Sequence, residues 1–414
     1  IGSSSGQVIT MGERPSLAIT NSEASAEIAF GEVITNISCS YIKDLSKIKE
    51  FKFQFLTVSS QKKNNSEVNK NFIHYTTNFL DRLFFVIYAS EIGRSILKKF
   101  NIQNRFEKFL AKQKIDLIFF LGCSRLSFFC NKIDFATYIY EFHHLSRPDL
   151  PEYKGWTDFE FRENLLHTNV KKSLSVIVDT SKKAENLLKY YNCFEEKINI
   201  IPLTPNIIEH KVKVEQSNSD EVKDYINNNK EYFFYPAQYW SHKNHYYILS
   251  ALKKLNKVNK KLINFVFTGH KKNNFYYLKE KLNEFGLTDQ ITFFEYVNDD
   301  DIKILYKNCK ALVMPSLVGY SSLPLYEAFY FEKPVFYSKN LLDVSLQKFV
   351  NEIDLEDSTS LANQINNFDI NKNDIFEKVK LAKEYYTENL SEEKITSLYF
   401  KFFNKIYNQT KIYK

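Results

Sequence analysis

Three observations predict an α/β chain built from two doubly wound domains. Short β-rich runs alternate with longer helical patterns through both halves of the sequence. The 414 residues exceed the size at which a single core stops growing. A polar, charged stretch without strand character, "EQSNSDEVKDYINNNKE" (215–231), separates the halves.

In the first half, 51–60, 116–122, 135–144 and 174–181 are apolar or β-branched runs ending in polar or turn residues, as strands of a buried parallel sheet do. Helical periodicity marks 93–114 and 182–192 between them. In the second half, strands are expected at 232–238, 264–269, 291–297, 311–316 and 334–338. Helices are expected at 245–258, 275–286 (capped by Gly286), 299–309 (acidic at its start) and about 323–332. The last pattern, 392–409, is a long amphipathic helix. The domain reading is an atypical leader at 1–40, an N-terminal domain at 41–210 and a linker at 211–230. A C-terminal domain at 231–390 follows, and then a terminal helix, 391–414, expected to cross back to the first domain.

Composition excludes several function classes. With 44% hydrophobic and 25% charged residues the chain is globular. Cys39, Cys123, Cys130, Cys193 and Cys309 are scattered without a CxxC pair, so neither a disulfide framework nor a zinc site is indicated, and a reducing compartment fits. No apolar run reaches the roughly 18–20 residues of a membrane span. The leader has no basic flank and no continuous apolar core, so it is not read as a signal peptide, and residues 1–33 contain no Lys. A net charge of +7 permits a phosphate ligand or an anionic membrane face, but is too weak and too spread for nucleic acid. Residues 93–114 concentrate Arg94, Lys98, Lys99, Arg105, Lys108, Lys112 and Lys114 against the single acid Glu107. That is an ordinary solvated face or a surface for an anionic bilayer.

Ligands of open α/β sheets sit beyond the carboxyl ends of strands, at helix N-termini. After 232–237 comes "AQYWSHKNHYY", where Lys243 precedes a helix start and suits a diphosphate. Position alone favours an ordinary surface lysine there, and structural roles for His242 and His245. Gly269, after its strand, allows close backbone approach to a ligand. After 311–315, "SLVGYSSLPLYEAF" leads into a helix with free backbone N–H groups at its start. Glu327 is expected in its first turn, as a dipole complement or as the acceptor of two hydrogen bonds from vicinal hydroxyls. "NDDD" (298–301) reads as a capping cluster and not as a metal site. There is no GxGxxG and no P-loop.

Three blocks, in order, resemble the GT-B glycosyltransferases of family four: "FFYPAQYWSHKNHYYILSAL", "ITFFEYVNDDDIKILYKNCKALVMPS" and "PSLVGYSSLPLYEAFYFEKPVFYS". The likeness covers roughly 230–345 and extends more loosely, through "EFHHLSRPDLPEY", back to about 135. It implies two facing Rossmann-like domains and retaining transfer from a nucleoside-diphosphate sugar to a glycan or lipid-linked acceptor, in bacterial surface polysaccharide synthesis. It also implies no cofactor and no metal, and a cytoplasmic enzyme with peripheral contact to an anionic membrane. Residue by residue, Lys243 matches the phosphate-binding Lys, and Glu327 the second Glu of E-x7-E, at the ribose. Ser321, Ser322 and Leu323 match the donor loop, whose backbone N–H groups meet the diphosphate and sugar. His144 falls where the acceptor domain carries a His facing the donor sugar. Two positions depart from the pattern. Gln238 stands where many members have Arg, and Gly319 where the first Glu belongs, as in a Gly-Pro-Thr-Asn-type branch of the family. A GT-B protein that binds nucleotide, glycan or a partner without transfer is the alternative. A sugar-nucleotide epimerase is disfavoured because the loop matches transferases.

Overall fold

In a computed structural model, residues 16–20, 52–59, 72–100, 104–154, 156–205, 220–228, 231–258, 262–295 and 297–412 are described. The chain divides into two compact units. One holds residues up to Phe142, Trp156–Pro202 and Glu392–Lys414; the other holds His143–Gly155 and Leu203–Ser391.

The first unit is built on a seven-stranded sheet: β1 (Ser16–Thr20), β2 (Lys52–Ser59), β3 (Phe72–Thr76), β4 (Leu117–Phe120), β5 (Asp134–Tyr138), β6 (Ser175–Val178) and β7 (Ile198–Ile200). Every pairing is parallel, in the order β3-β2-β1-β4-β5-β6-β7. The stretch set apart as a leader therefore contributes a central strand, because β1 pairs with β2 on one side and β4 on the other. The turn that follows β1 lies outside the described residues.

Helices α1 (Phe79–Ala89), α2 (Glu91–Lys99) and α3 (Arg105–Lys112) come between β3 and β4. The single helix expected over 93–114 is thus two. Asn104 begins the second: its side-chain oxygen accepts the Glu107 N–H at 2.8 Å while its amide donates to the Phe129 carbonyl at 2.7 Å. Glu107 is buried and accepts the N–H groups of Asn131 and Lys132 at 2.5 and 2.6 Å, so it does not face solvent among the lysines. Helices α4 (Trp156–Lys172) and α5 (Ser181–Tyr191) complete this part, and the strand expected over 135–144 stops at Tyr138. Strand β4 reads as a continuous apolar run because both of its faces are covered. Ile118 and Phe120 join the cluster of Tyr88, Phe106 and Leu110. Phe119 meets Tyr399, Phe402 and Phe403 of the C-terminal helix, whose ring centroids lie 5.7 to 6.3 Å away.

The second unit carries β8 (Tyr232–Pro236), β9 (Asn264–Thr268), β10 (Ile291–Phe294), β11 (Leu312–Met314), β12 (Val335–Ser338) and β13 (Asn351–Ile353), paired in parallel as β10-β9-β8-β11-β12-β13. Its helices are α6 (Asp220–Asn227), α7 (His245–Val258), α8 (Phe275–Glu284), α9 (Asp299–Asn308), α10 (Leu323–Tyr330), α11 (Thr359–Asn366) and α12 (Lys372–Asn389). The described part of the expected linker is α6, held through Tyr225 on Tyr232 and Phe294 at centroid distances of 5.5 and 5.9 Å. Gly286, with φ +65, ends α8: its own N–H bonds the Asn283 carbonyl and the Leu287 N–H bonds the Leu282 carbonyl. That is the left-handed termination a glycine favours. Helix α13 (Glu392–Ile412) returns the chain to the first unit, where Lys405 donates to the Glu196 carbonyl at 2.5 Å.

Candidate functional site

Strand order in the second unit reverses between β8 and β11. At such a switch point the loops leaving neighbouring strands diverge and open a crevice. The two loops singled out in the sequence are the ones that leave β8 and β11.

Internal hydrogen bonds fix these loops to each other. The Tyr235 hydroxyl donates to the Lys243 carbonyl at 2.8 Å and lies 3.0 Å from Ser316 Oγ. The Leu317 N–H donates to the His242 carbonyl at 2.8 Å, and Ser338 Oγ donates to the Ser316 carbonyl at 2.7 Å. Lys243 ends a 3-10 turn, Ser241–Lys243, and Asn244 then adopts φ 55 before α7 begins. The backbone that carries Lys243 is therefore set independently of its side chain. Its charge is felt nearby: burial first, and then Lys243, push His245 down to about 3. His245 is buried among the rings of Tyr235, Tyr239 and Phe267 and belongs to the core, as its isolation in the sequence suggested.

Two candidates have close partners within the chain itself. A Cβ on Gly269 would lie 2.6 Å from the Ala237 carbonyl oxygen and 2.8 Å from Gln238 Cα. The close approach seen here is to the chain's own first loop. Gly269→Ala should destabilise the fold by about 1–3 kcal/mol, read as a lowered midpoint in urea with an unchanged slope. Gln238, standing where Arg was looked for, accepts the Trp240 indole N–H at 3.0 Å.

In the second loop, Gly319 adopts φ +111 while its carbonyl accepts the Tyr337 hydroxyl at 3.2 Å. Side-chain space is open, since a Cβ would meet nothing nearer than 3.6 Å. The backbone angle, and not crowding, is what disfavours a glutamate here. Ser321 is buried in this loop and Leu323 opens α10.

Ser322 is the N-cap of α10 and accepts the Leu325 N–H at 3.2 Å. Pro324 has no N–H, and the Tyr326 N–H reaches the Ser322 carbonyl. Of the four positions whose N–H a helix start leaves over, Leu325 is taken by Ser322 and Pro324 has none, so the Ser322 and Leu323 N–H groups are left without a partner among the described residues.

Glu327 does not lie in the first turn, which contains no acid. It is the fifth residue of α10, so a simple dipole complement does not account for it. The carboxyl is half-buried. Burial pushes it up to about 7, a hydrogen bond from Tyr306 works against that, and the Asp299 charge adds to it. The Tyr306 hydroxyl also lies 3.3 Å from the Pro324 carbonyl.

His144 sits in the short helical turn His143–Ser146, buried, within a segment that groups with the second unit. The same segment brings in a residue that sequence reasoning missed. One oxygen of Glu152, Oε1, accepts both the backbone N–H of His242 and its Nδ1, each at 3.2 Å. Burial holds His242 down to about 4, against the pull of Glu152. The imidazole is thus neutral, with its proton on Nδ1 facing the carboxylate and Nε2 left as an acceptor. Leu150 and Tyr153 pack on Leu317 and Val318 of the second loop. Glu152 and His242 are far apart in sequence and share no motif, so nothing short-range announced the pair.

Residues 217–342 match the family model of glycosyl transferases group 1, and residues 1–83 match that of the FGAR-AT PurM_N-like domain. The described strands of the latter stretch, β1 to β3, are adjacent parallel members of the first unit's sheet. The O-antigen chain mannosyltransferase RfbU of Salmonella typhimurium is 28% identical over 174 residues, which are 42% of this chain and 44% of that protein. The matched stretch therefore spans less than half of the curated relative's length. Among solved structures, the sucrose-phosphate synthase of Thermosynechococcus elongatus has a TM-score of 0.61 at 15% identity, covering 83% of this chain and 85% of that one. Anabaena HepE in complex with UDP-glucose has a TM-score of 0.59 at 12% identity, covering 94% and 98%. Residues 217–342 thus match the glycosyl transferases group 1 family, and the chain carries them on a GT-B fold of two Rossmann-like domains.

Proposed function

We propose that this chain is a glycosyltransferase that moves a sugar from a nucleoside-diphosphate sugar to a glycan or lipid-linked acceptor, with retained anomeric configuration, in bacterial surface polysaccharide synthesis. The observation that carries this reading is the pairing, at the switch point, of the Lys243 loop with the loop that leaves β11 and leads into α10, inside the segment that matches the family. A relative of this chain is a mannosyltransferase of O-antigen chains, and WaaG, of the same fold, is a glycosyltransferase involved in lipopolysaccharide biosynthesis.

In the reaction the bond between the anomeric carbon and the diphosphate oxygen breaks, and negative charge gathers on the departing diphosphate. Preorganised donors aimed at that charge lower the barrier. Lys243 and the Leu323 N–H take this role, with the N-terminal dipole of α10 behind them. Glu327 accepts the two ribose hydroxyls, and the loop of Gly319 to Ser322 presents backbone to the sugar. His144 is assigned to the sugar's reacting face. With Gln238 occupied by Trp240 and no arginine beside it, the phosphate charge falls mainly on Lys243.

Donor hydrolysis and transfer should be measured over a panel of UDP-, GDP- and ADP-sugars, with the anomeric configuration of the product read by NMR. One nucleotide series should be turned over well above the others, giving a product of retained configuration. Tight binding of a nucleoside diphosphate with no turnover of any donor would select the binding-only alternative, which Gly319 and Gln238 favour. The absence of both binding and turnover would end the donor-site reading.

A further inference from the structure

One buried carboxylate of the second unit has no role in the reaction as proposed above. The Glu152 side chain is 8% exposed, and the two His242 groups that reach it, the backbone N–H and Nδ1, both meet Oε1. Its other oxygen, Oε2, is buried and meets no donor among the described residues. An ionised carboxyl offers about four lone-pair sites, and leaving one whole oxygen unmatched away from water is costly. Protonation does not relieve that cost. Burial works against the charge, but the hydrogen bonds from the His242 ring and backbone N–H outweigh it and hold the carboxyl below its ordinary value. The imidazole is itself neutral, and no Lys or Arg pairs with Glu152 among the described residues.

This carboxylate belongs to the donor crevice. The backbone of His242 joins three segments: its N–H goes to Glu152 and its carbonyl accepts the Leu317 N–H at 2.8 Å. Leu150 and Tyr153, on either side of Glu152, pack on Leu317 and Val318. Gly319 comes next and brings no side chain, while Lys243 directly follows His242. Chemistry then separates the parts of a nucleoside-diphosphate sugar. The diphosphate is an anion, which a carboxylate repels. The base and ribose lie beyond the diphosphate from the sugar, on the side assigned to Glu327. The ring hydroxyls of the sugar are neutral donors, and a carboxylate accepts them in strong, charge-assisted hydrogen bonds.

We propose that Glu152 is a sugar-binding residue of the donor site, with Oε2 accepting a ring hydroxyl of the transferred sugar while Oε1 holds His242. The acid that Gly319 does not supply thus comes from a segment in the first half of the sequence. The inference rests on the donor reading above and specifies how that site tells one sugar from another.

The test compares Glu152→Gln with the wild type by calorimetric titration of UDP-glucose, GDP-mannose and ADP-glucose, each against free UDP, GDP or ADP. Glutamine keeps an oxygen for the two His242 donors, so the thermal midpoint should stay. The nucleotide-sugar that the wild type binds should bind about tenfold more weakly to the variant, the difference between a charged and a neutral acceptor. Its free diphosphate should bind equally to both proteins. A residue that only shaped the Lys243 loop would lower the two affinities together. Monodeoxy analogues of the sugar identify the hydroxyl. One of them should lose about 10- to 100-fold on the wild type, and about tenfold less than that on the variant. Equal losses for the sugar and the free diphosphate overturn the assignment. Unchanged sugar affinity in the variant also overturns it and leaves the donor reading standing. If every monodeoxy analogue binds the wild type as its parent does, the assignment falls without recourse to any variant. If neither a diphosphate nor a nucleotide-sugar binds the wild type, the donor reading fails and Glu152 has no sugar to hold.

Discussion

Lys243→Ala should reduce donor turnover by about 10²–10³-fold, the loss seen when one preorganised donor to a developing oxyanion is removed. The expectation is this large because the neighbouring groups offer little redundancy. Gln238 cannot supply a bidentate charge-assisted contact and is held by Trp240. The start of helix α10 offers only the Ser322 and Leu323 N–H groups, since Pro324 has none and the Leu325 N–H is taken by Ser322. The loop itself should survive the change. Its geometry is held by the Tyr235 hydroxyl on the Lys243 carbonyl and by the Leu317 N–H on the His242 carbonyl, and neither contact involves the lysine side chain. Turnover and nucleoside-diphosphate affinity should therefore fall while the thermal unfolding midpoint stays. Lys243→Arg, which keeps the charge but changes its shape, should recover part of the loss. Full activity in the alanine variant would mean that the diphosphate does not sit at this switch point.

The fold was legible in the sequence where local signals and burial agree. Residues 245–258 form a helix with the expected bounds because their apolar spacing matches the face that packs inward. Strand β4 was legible because it is covered on both sides and so reads as an unbroken apolar run. The helix end at Lys99 and the new start at Arg105 were hidden, since helical periodicity continues past both and the N-cap residue Asn104 is held by a long-range contact, its amide on the Phe129 carbonyl. At Gly269 the contact that the structure shows is with Ala237 and Gln238, which no local pattern announced. At Glu327 the setting differs from the expected one. The helix begins at Leu323, which moves the carboxylate past the first turn, and the flanking Tyr306 and Asp299 come from α9. The pairing of Glu152 with His242 depends on how the segment from His143 to Gly155 folds back, and no local pattern encodes that.

Nucleotide affinity should rise with pH up to about 7 and then level off, and Glu327 should be the cause. Its carboxyl is held near 7, chiefly by burial, whereas the same group in the unfolded chain titrates near 4.5. Between those values the folded chain keeps a proton that the unfolded chain has lost, so the group's contribution to stability declines as pH rises through that window. Ligand binding runs the other way. Two ribose hydroxyls donate to a carboxylate and gain less from the protonated acid, so the bound state has the lower pKa and binding releases a proton. Below about pH 7 the affinity should then drop by up to tenfold per pH unit. Glu327→Gln removes the charge but keeps the shape. At high pH it should bind about 10- to 100-fold more weakly than the wild type, as expected for loss of hydrogen bonds to a charged group. At low pH the two proteins should converge, because the protonated glutamic acid resembles the amide. Calorimetric titration of a nucleoside diphosphate from about pH 5.5 to 8.5 brackets the transition. The ratio of the two affinities is the quantity to follow, because the ligand's own phosphate titration cancels in it. His242 and His245, held down to about 4 and about 3, titrate below this range. A ratio that stays constant across the range would remove Glu327 from the ribose, whatever the absolute affinities.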